Sequence, residues 1–100
     1  MDVKITKEGK KTFVTLSGRL DTTNAAQFQE DIKPLMEEAE PDIELDCTDM
    51  EYTSSQGLRM FLILQKNVNA RKGKLVMKNM QPKVKEVFDI TGFSNIINIV

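Results

Sequence analysis

The sequence predicts a single α/β domain: a mixed, mostly parallel sheet with an initial β-hairpin and three α-helices packed on it. Three observations predict this. Two runs with apolar–polar alternation flank a Gly9 turn near the N-terminus. After Gly18 the apolar spacing lengthens from two residues to about 3.6, the helical period. From Ile43 onward, strand-like and helix-like runs alternate, and joining parallel strands requires such crossovers. One hundred residues suit one core of this kind, so residues 1–100 are taken as one domain.

The elements follow in order. Val3 and Ile5 alternate with Lys4 and Thr6 as a short strand, and Glu8-Gly9-Lys10 is a turn signal. Thr12 to Ser17 places Val14 and Leu16 on one face and Phe13 and Thr15 on the other, and Gly18 closes that strand. Leu20-Asp21-Thr22-Thr23-Asn24 is rich in helix-start residues. Ala25, Phe28, Ile32, Leu35, Met36 and Ala39 form one helical stripe; Pro34 should kink or loosen it, and Pro41 ends it. Glu37, Glu38 and Glu40 oppose the dipole at that end, so the helix should fray there.

Ile43, Leu45 and Cys47 alternate with Glu44 and Asp46 as a strand with one polar side. Leu58 to Ala70 reads as a second helix, with Leu58, Phe61, Leu62, Leu64 and Val68 on a broad face. Ile63 falls on the side of Arg59 and Lys66. Gly73 ends this helix, and Leu75-Val76-Met77 is the next strand. Pro82 opens a third helix with Val84, Val87, Phe88 and Thr91 on one stripe, and Gly92 is its C′ residue. Asn95 to Val100 reads as a last strand.

Composition narrows the function. Apolar residues at 40% and charged residues at 29% describe an ordinary globular protein. A net charge of −1 argues against nucleic acid, which demands a basic excess. The basic pairs Lys10-Lys11 and Arg71-Lys72 read as solubilising turn charge. Cys47 is the one cysteine, so no intrachain disulfide forms; on an apolar strand face it reads as a small buried hydrophobe. Met1 to Lys7 is no signal peptide, and no apolar run reaches 18 residues, so the expectation is a cytoplasmic protein with no membrane partner. Histidine is absent, which removes the usual general base and the commonest metal ligand. No Gly-rich phosphate loop and no Cys-x-x-Cys occurs. No cofactor, metal or catalytic residue is expected.

The chemistry concentrates in Thr53-Ser54-Ser55-Gln56-Gly57-Leu58, where a strand gives way to a helix. The first N–H groups of a helix lack internal partners, and the dipole is positive there. Ser54 or Ser55 can cap the helix, with Gly57 serving the tight turn. A serine here can also carry a phosphate in a favourable field, with about −1.5 to −2 units of added charge. Asp21-Thr22-Thr23 also joins a strand to a helix. Right-handed crossovers bring such loops together at the carboxyl ends of the strands. Asp21 would repel a phosphate there, and Arg59, one turn into the helix, would attract it.

Three motifs in order resemble the STAS domains, and most closely the bacterial anti-sigma factor antagonists. Gly18-Arg19-Leu20-Asp21 resembles the family's Gly-x-Leu-Asp at the end of the second strand. Leu45 through Leu58 resembles the third strand and phosphorylation loop, and Val84 through Phe93 the third helix and its Gly exit. The resemblance implies a partner-switching module without activity of its own. The unphosphorylated antagonist binds an anti-sigma factor serine kinase and so releases a sigma factor. The kinase then phosphorylates the antagonist, and a metal-dependent serine phosphatase reverses the modification. The family loop commonly reads Asp-Ser-Ser-Gly with its first serine phosphorylated. The acceptor therefore maps to Ser55, and Ser54 replaces the usual Asp. Asp21, Thr22, Thr23, Ser54, Gln56, Gly57, Arg59 and Ile63 are the expected partner-binding residues. Many members have a further C-terminal helix after the last strand; for a sequence that stops at Val100 the expectation is a less covered sheet face or edge, or absence of that helix from this form.

Two other functions compete. A STAS ligand-sensing or accessory module would bind a nucleotide or a transporter component, with Asp21 and the helix start forming a strand-end pocket. An enzyme would use Ser55 as nucleophile with Asp21 or Asp46 as base; the missing histidine and the missing Gly-x-Ser-x-Gly elbow argue against it.

Overall fold

A computed structural model describes residues 1–100. Strands β1 (Asp2–Glu8), β2 (Lys11–Leu20), β3 (Asp42–Thr53), β4 (Lys74–Lys78) and β5 (Asn98–Ile99) form one sheet in sequential order. The β1–β2 pair is antiparallel and every later pair is parallel. Helices α1 (Ala25–Asp31), α2 (Ser55–Ala70) and α3 (Pro82–Ile90) make the crossovers. The expected α/β class and element order are both found.

Strands laid down in sequential order, with crossovers of one hand, put all the helices on one face. Burial follows that geometry. Thr12, Ile43 and Leu75 line up across β2, β3 and β4, as do Val14, Leu45 and Met77, and all six are buried. Phe28, Phe61 and Phe88, one from each helix, meet above them with ring centroids 5.3 and 5.9 Å apart. The first contact is edge-to-face and the second tilted, and such contacts add to the transfer free energy of the rings themselves. The opposite face of the sheet is mostly polar, with Phe13 and Val76 half-buried on it beside Glu44. Glu44 lies at its centre, 3.4 Å from Lys11 Nζ and 2.9 Å from Lys78 Nζ.

Several boundaries differ from the sequence reading. The first helix stops at Asp31, and a 3₁₀ turn follows over Lys33–Met36. Pro34 lacks an amide hydrogen and its ring crowds the preceding turn, so the α pattern cannot continue. Ile32 and Leu35 still reach the core, but Met36 is half-buried and Ala39 is exposed. Strand β2 does not close at Gly18, which takes φ +97° inside the strand, and pairing runs on to Leu20.

Strand β3 likewise continues past Cys47 to Thr53 through two irregularities, at each of which β3 has one residue more than β2: Asp46–Asp49 against Thr15–Ser17, and Met50–Tyr52 against Gly18–Arg19. Asp46 Oδ1 stabilises the first, accepting the Thr48 N–H at 3.1 Å and the Thr48 hydroxyl at 2.6 Å. Each irregularity delays the inward side by one residue, so Cys47, Met50 and Thr53 are buried at intervals of three. Helix α2 begins at Ser55, before Leu58, and it also buries Met60 and Gln65. Thr91 leaves the apolar stripe of α3: it is exposed, and its hydroxyl donates back to the Val87 carbonyl at 2.8 Å. Gly92 is at C′ with φ +81°, a conformation that suits glycine. The last strand shrinks to Asn98–Ile99 because Phe93–Asn95 winds as a 3₁₀ turn.

Candidate functional site

Strands β2, β3 and β4 are parallel, so the loops at Asp21, Ser54 and Asn79 leave the same end of the sheet. Strand β3 reaches furthest, and its last residue pairs with Leu20. The chain then turns into α2. The Ser54 N–H donates to the Leu20 carbonyl at 2.8 Å, which ties the serine segment to the end of β2. Thr53 is buried and its hydroxyl donates to the Ser54 carbonyl at 3.2 Å.

The two serines have different environments. Ser54 is extended (φ −83°, ψ 172°), and its hydroxyl oxygen accepts the Gly57 N–H at 3.2 Å. Its carbonyl accepts the first helical bond, from Leu58 N–H at 2.9 Å. Ser54 is therefore the N-cap, which resolves the two-way reading of the sequence. Ser55 is the first helical residue, exposed, with a hydroxyl that has no hydrogen-bond partner in the chain. Gln56 is exposed beside it.

Gly57 is not a turn residue. It is buried in the first turn of α2 with an ordinary φ. A Cβ there would overlap Thr53 Oγ1 and stand 2.8 Å from Leu20 Cγ. Glycine lets the helix start lie directly on the ends of β2 and β3.

The neighbouring loop is tied by its own side chains. Asp21 Oδ1 accepts the Thr23 N–H at 3.0 Å and also the Thr23 hydroxyl. These bonds, that of the hydroxyl foremost, hold the Asp21 carboxyl below the usual carboxylate range. Asn24 precedes α1 without capping it through its side chain. Its amide bridges backwards instead, accepting from Asp21 N–H at 2.9 Å and donating to the Arg19 carbonyl at 2.8 Å. Thr22 and Thr23 are exposed.

Along α2, Ser55, Arg59 and Ile63 follow one another at helical spacing on the solvent side; Ile63 is 40% exposed. The structure thus gathers Asp21, Thr22, Thr23, Ser54, Ser55, Gln56 and Gly57 at one end of the sheet, with Arg59 and Ile63 leading away from it. One neighbour escaped sequence reasoning. The Arg19 guanidinium lies 4.4 Å from the centroid of the Tyr52 ring, its partner across the β2–β3 pair. The pairing depends on the β3 irregularities, which no local pattern signals.

Cavities lie elsewhere. The largest, about 570 Å³, is at the opposite end of the sheet and includes Lys11, Asp42, Gln65, Asn69 and Lys74. None of the three cavities is lined by Asp21, Ser54 or Ser55. Asp46, considered as a base, serves the β3 irregularity, and the Thr48 hydroxyl lowers its pKa. Cys47 is buried, and burial together with the Asp46 charge pushes its thiol up to about 12, so it stays protonated and inert. No helix is long and apolar enough to cross a membrane.

Comparison with known proteins agrees with this geometry. Residues 2–100 match the STAS domain family. The "Putative anti-sigma factor antagonist BtrV" of Bordetella bronchiseptica is 33% identical over 84 residues, covering 84% of this chain and 72% of that protein. The anti-sigma-B factor antagonist of Bacillus subtilis is 33% identical over 86 residues, covering 86% and 78%. Among solved structures, the anti-sigma factor antagonist SpoIIAA in its unphosphorylated form superposes with a TM-score of 0.80 at 18% identity, over 99% of this chain and 88% of that one. The phosphorylated form of SpoIIAA, from Bacillus, superposes with a TM-score of 0.73 at 17% identity, over 99% and 91%. With the family matched over nearly its whole length and the expected loop at the strand ends, the chain belongs to the STAS domain family.

Proposed function

We propose that this protein is an anti-sigma factor antagonist switched at Ser55. In the cytoplasm its unphosphorylated form binds an anti-sigma factor serine kinase and so frees a sigma factor. The binding face comprises Asp21, Thr22, Thr23, Ser54, Gln56, Gly57, Arg59 and Ile63 around the acceptor. Phosphorylation of Ser55 places a dianion in the middle of that face and breaks the complex. A metal-dependent serine phosphatase restores it. The protein is ligand and substrate in this cycle and catalyses no step.

The observation that carries the reading is the division of labour between the serines. Ser54 caps α2, which leaves the exposed Ser55 hydroxyl free to be modified without loss of a structural bond. The positive end of α2 tolerates the new charge, so the domain can stay folded while its surface changes sign. The relatives named as anti-sigma factor antagonists support the same reading. Binding to the cognate anti-sigma kinase tests it. Ser55→Ala should bind as the wild type does. Ser55→Asp should bind roughly two orders of magnitude more weakly, since an unpaired charge in a closed interface costs several kcal/mol. Equal affinity of the two variants would remove Ser55 from the interface.

A further inference from the structure

We infer that Arg59 is the internal counter-ion of the modified switch, pairing with the phosphate on Ser55 and leaving the partner-binding face when it does so. The inference rests on the phosphoserine reading above and concerns how that switch acts. Residues four apart on a helix have Cβ atoms about 5–6 Å apart, and Ser55 and Arg59 are so related in α2. Both are exposed. Arg59 makes no ion pair, and of the 14 Lys and Arg residues only Lys7, Lys11, Lys33, Lys78 and Lys85 have a carboxylate partner. Helix α2 supplies none, because Ser55–Ala70 contains no Asp or Glu at all. The start of α2 therefore has the positive end of the dipole and, one turn in, a guanidinium, with no acid of the helix to answer either. Arginine near a helix start is normally disfavoured, and an anion one turn before it reverses that. Asp21, at the same end of the sheet, is held by Thr23 within its own loop.

The consequence is a switch with two parts. Modification adds negative charge at Ser55 and withdraws a cation at Arg59. In the unmodified protein that guanidinium is available to an acidic group on the partner. In the modified protein it is occupied, so affinity is lost twice from one event.

The test uses protein with phosphoserine installed at position 55 during synthesis, so no kinase is involved. The second phosphate ionisation is followed by ³¹P NMR titration. Arg59→Ala should raise its apparent pKa by roughly 0.3 unit or more, from the usual size of such pairs. Arg59→Lys should restore much of the shift, and 1 M salt should shrink it. Lys66→Ala, about two turns further along, should leave the titration unchanged. Identical titrations for wild type and Arg59→Ala would overturn the inference. Failure of a kinase to modify Ser55 would instead count against the functional reading and would leave this titration interpretable.

Discussion

At the start of α2 the Gly57 N–H would be an orphan donor if Ser54 did not reach back to it. The bond is 3.2 Å long, so its worth falls at the lower end of the capping range. Ser54→Ala should cost about 0.5–1 kcal/mol in urea unfolding. Ser55→Ala, which removes no bond, should stay within about 0.5 kcal/mol of the wild type. Equal losses from the two would mean that the cap is shared. Gly57 shows the same economy of space. Gly57→Ala gains up to about 1 kcal/mol of helix propensity but forces the new methyl group into Thr53 and Leu20. A net loss of about 1–2 kcal/mol is expected by thermal or urea unfolding, and a stabilised variant would refute the close approach. Residue types alone pointed to Ser54, Ser55 and Gly57. They did not divide the roles, because a cap is defined by φ, ψ and a partner's position. Gly57 read as a turn residue since close packing against Leu20, 37 positions earlier, leaves no local mark.

Among the elements, the sheet shows where charge supports the fold. Glu44 stands between Lys78 and Lys11 on the polar face, and those ammonium groups, Lys78 foremost, hold its carboxyl below the usual range. Asp21 and Asp46 are lowered in the same direction by their threonine partners. A carboxylate with a depressed folded pKa contributes stability that is complete above its unfolded pKa, about 4. That contribution is lost as pH falls through the folded value. Stability should therefore hold from neutral pH to about pH 5 and then decline below about pH 4. Glu44→Gln should be less stable than wild type at pH 7, and its unfolding midpoint in urea should fall less steeply between pH 5 and pH 3. Parallel slopes would show that Glu44 titrates alike in both states. Element type was legible wherever one period ran unbroken, as in the Phe61–Leu64–Val68 face of α2. It failed where the period changed inside an element. Strand β3 appeared to stop at Cys47 because its irregularities shift the buried side, and the first helix appeared to run past Pro34 because Leu35 continues the apolar stripe in a 3₁₀ turn.

For the whole molecule, sequential strand order fixes what faces what. Every helix covers one side of the sheet, and the parallel strands β2 and β3 deliver their loops to one end. The core anchors the loop bases through Leu20, Thr53 and Leu58, all buried, while the loop tips stay in water. A charge added at the tip changes the surface without entering the core, as a partner switch requires. The Ser54 replacement sharpens this. The carboxylate that the family loop carries beside this position is absent, so the face is less negative there and a phosphate placed on Ser55 would make a larger relative change. The central claim is that Ser55, and not its capping neighbour, receives the phosphate. Incubation with the cognate anti-sigma kinase and ATP, followed by site mapping by tandem mass spectrometry, measures this directly. The account predicts one phosphate per chain, located on Ser55 and absent from Ser55→Ala. A phosphate on Ser54, or none on a chain that binds the kinase, would contradict it.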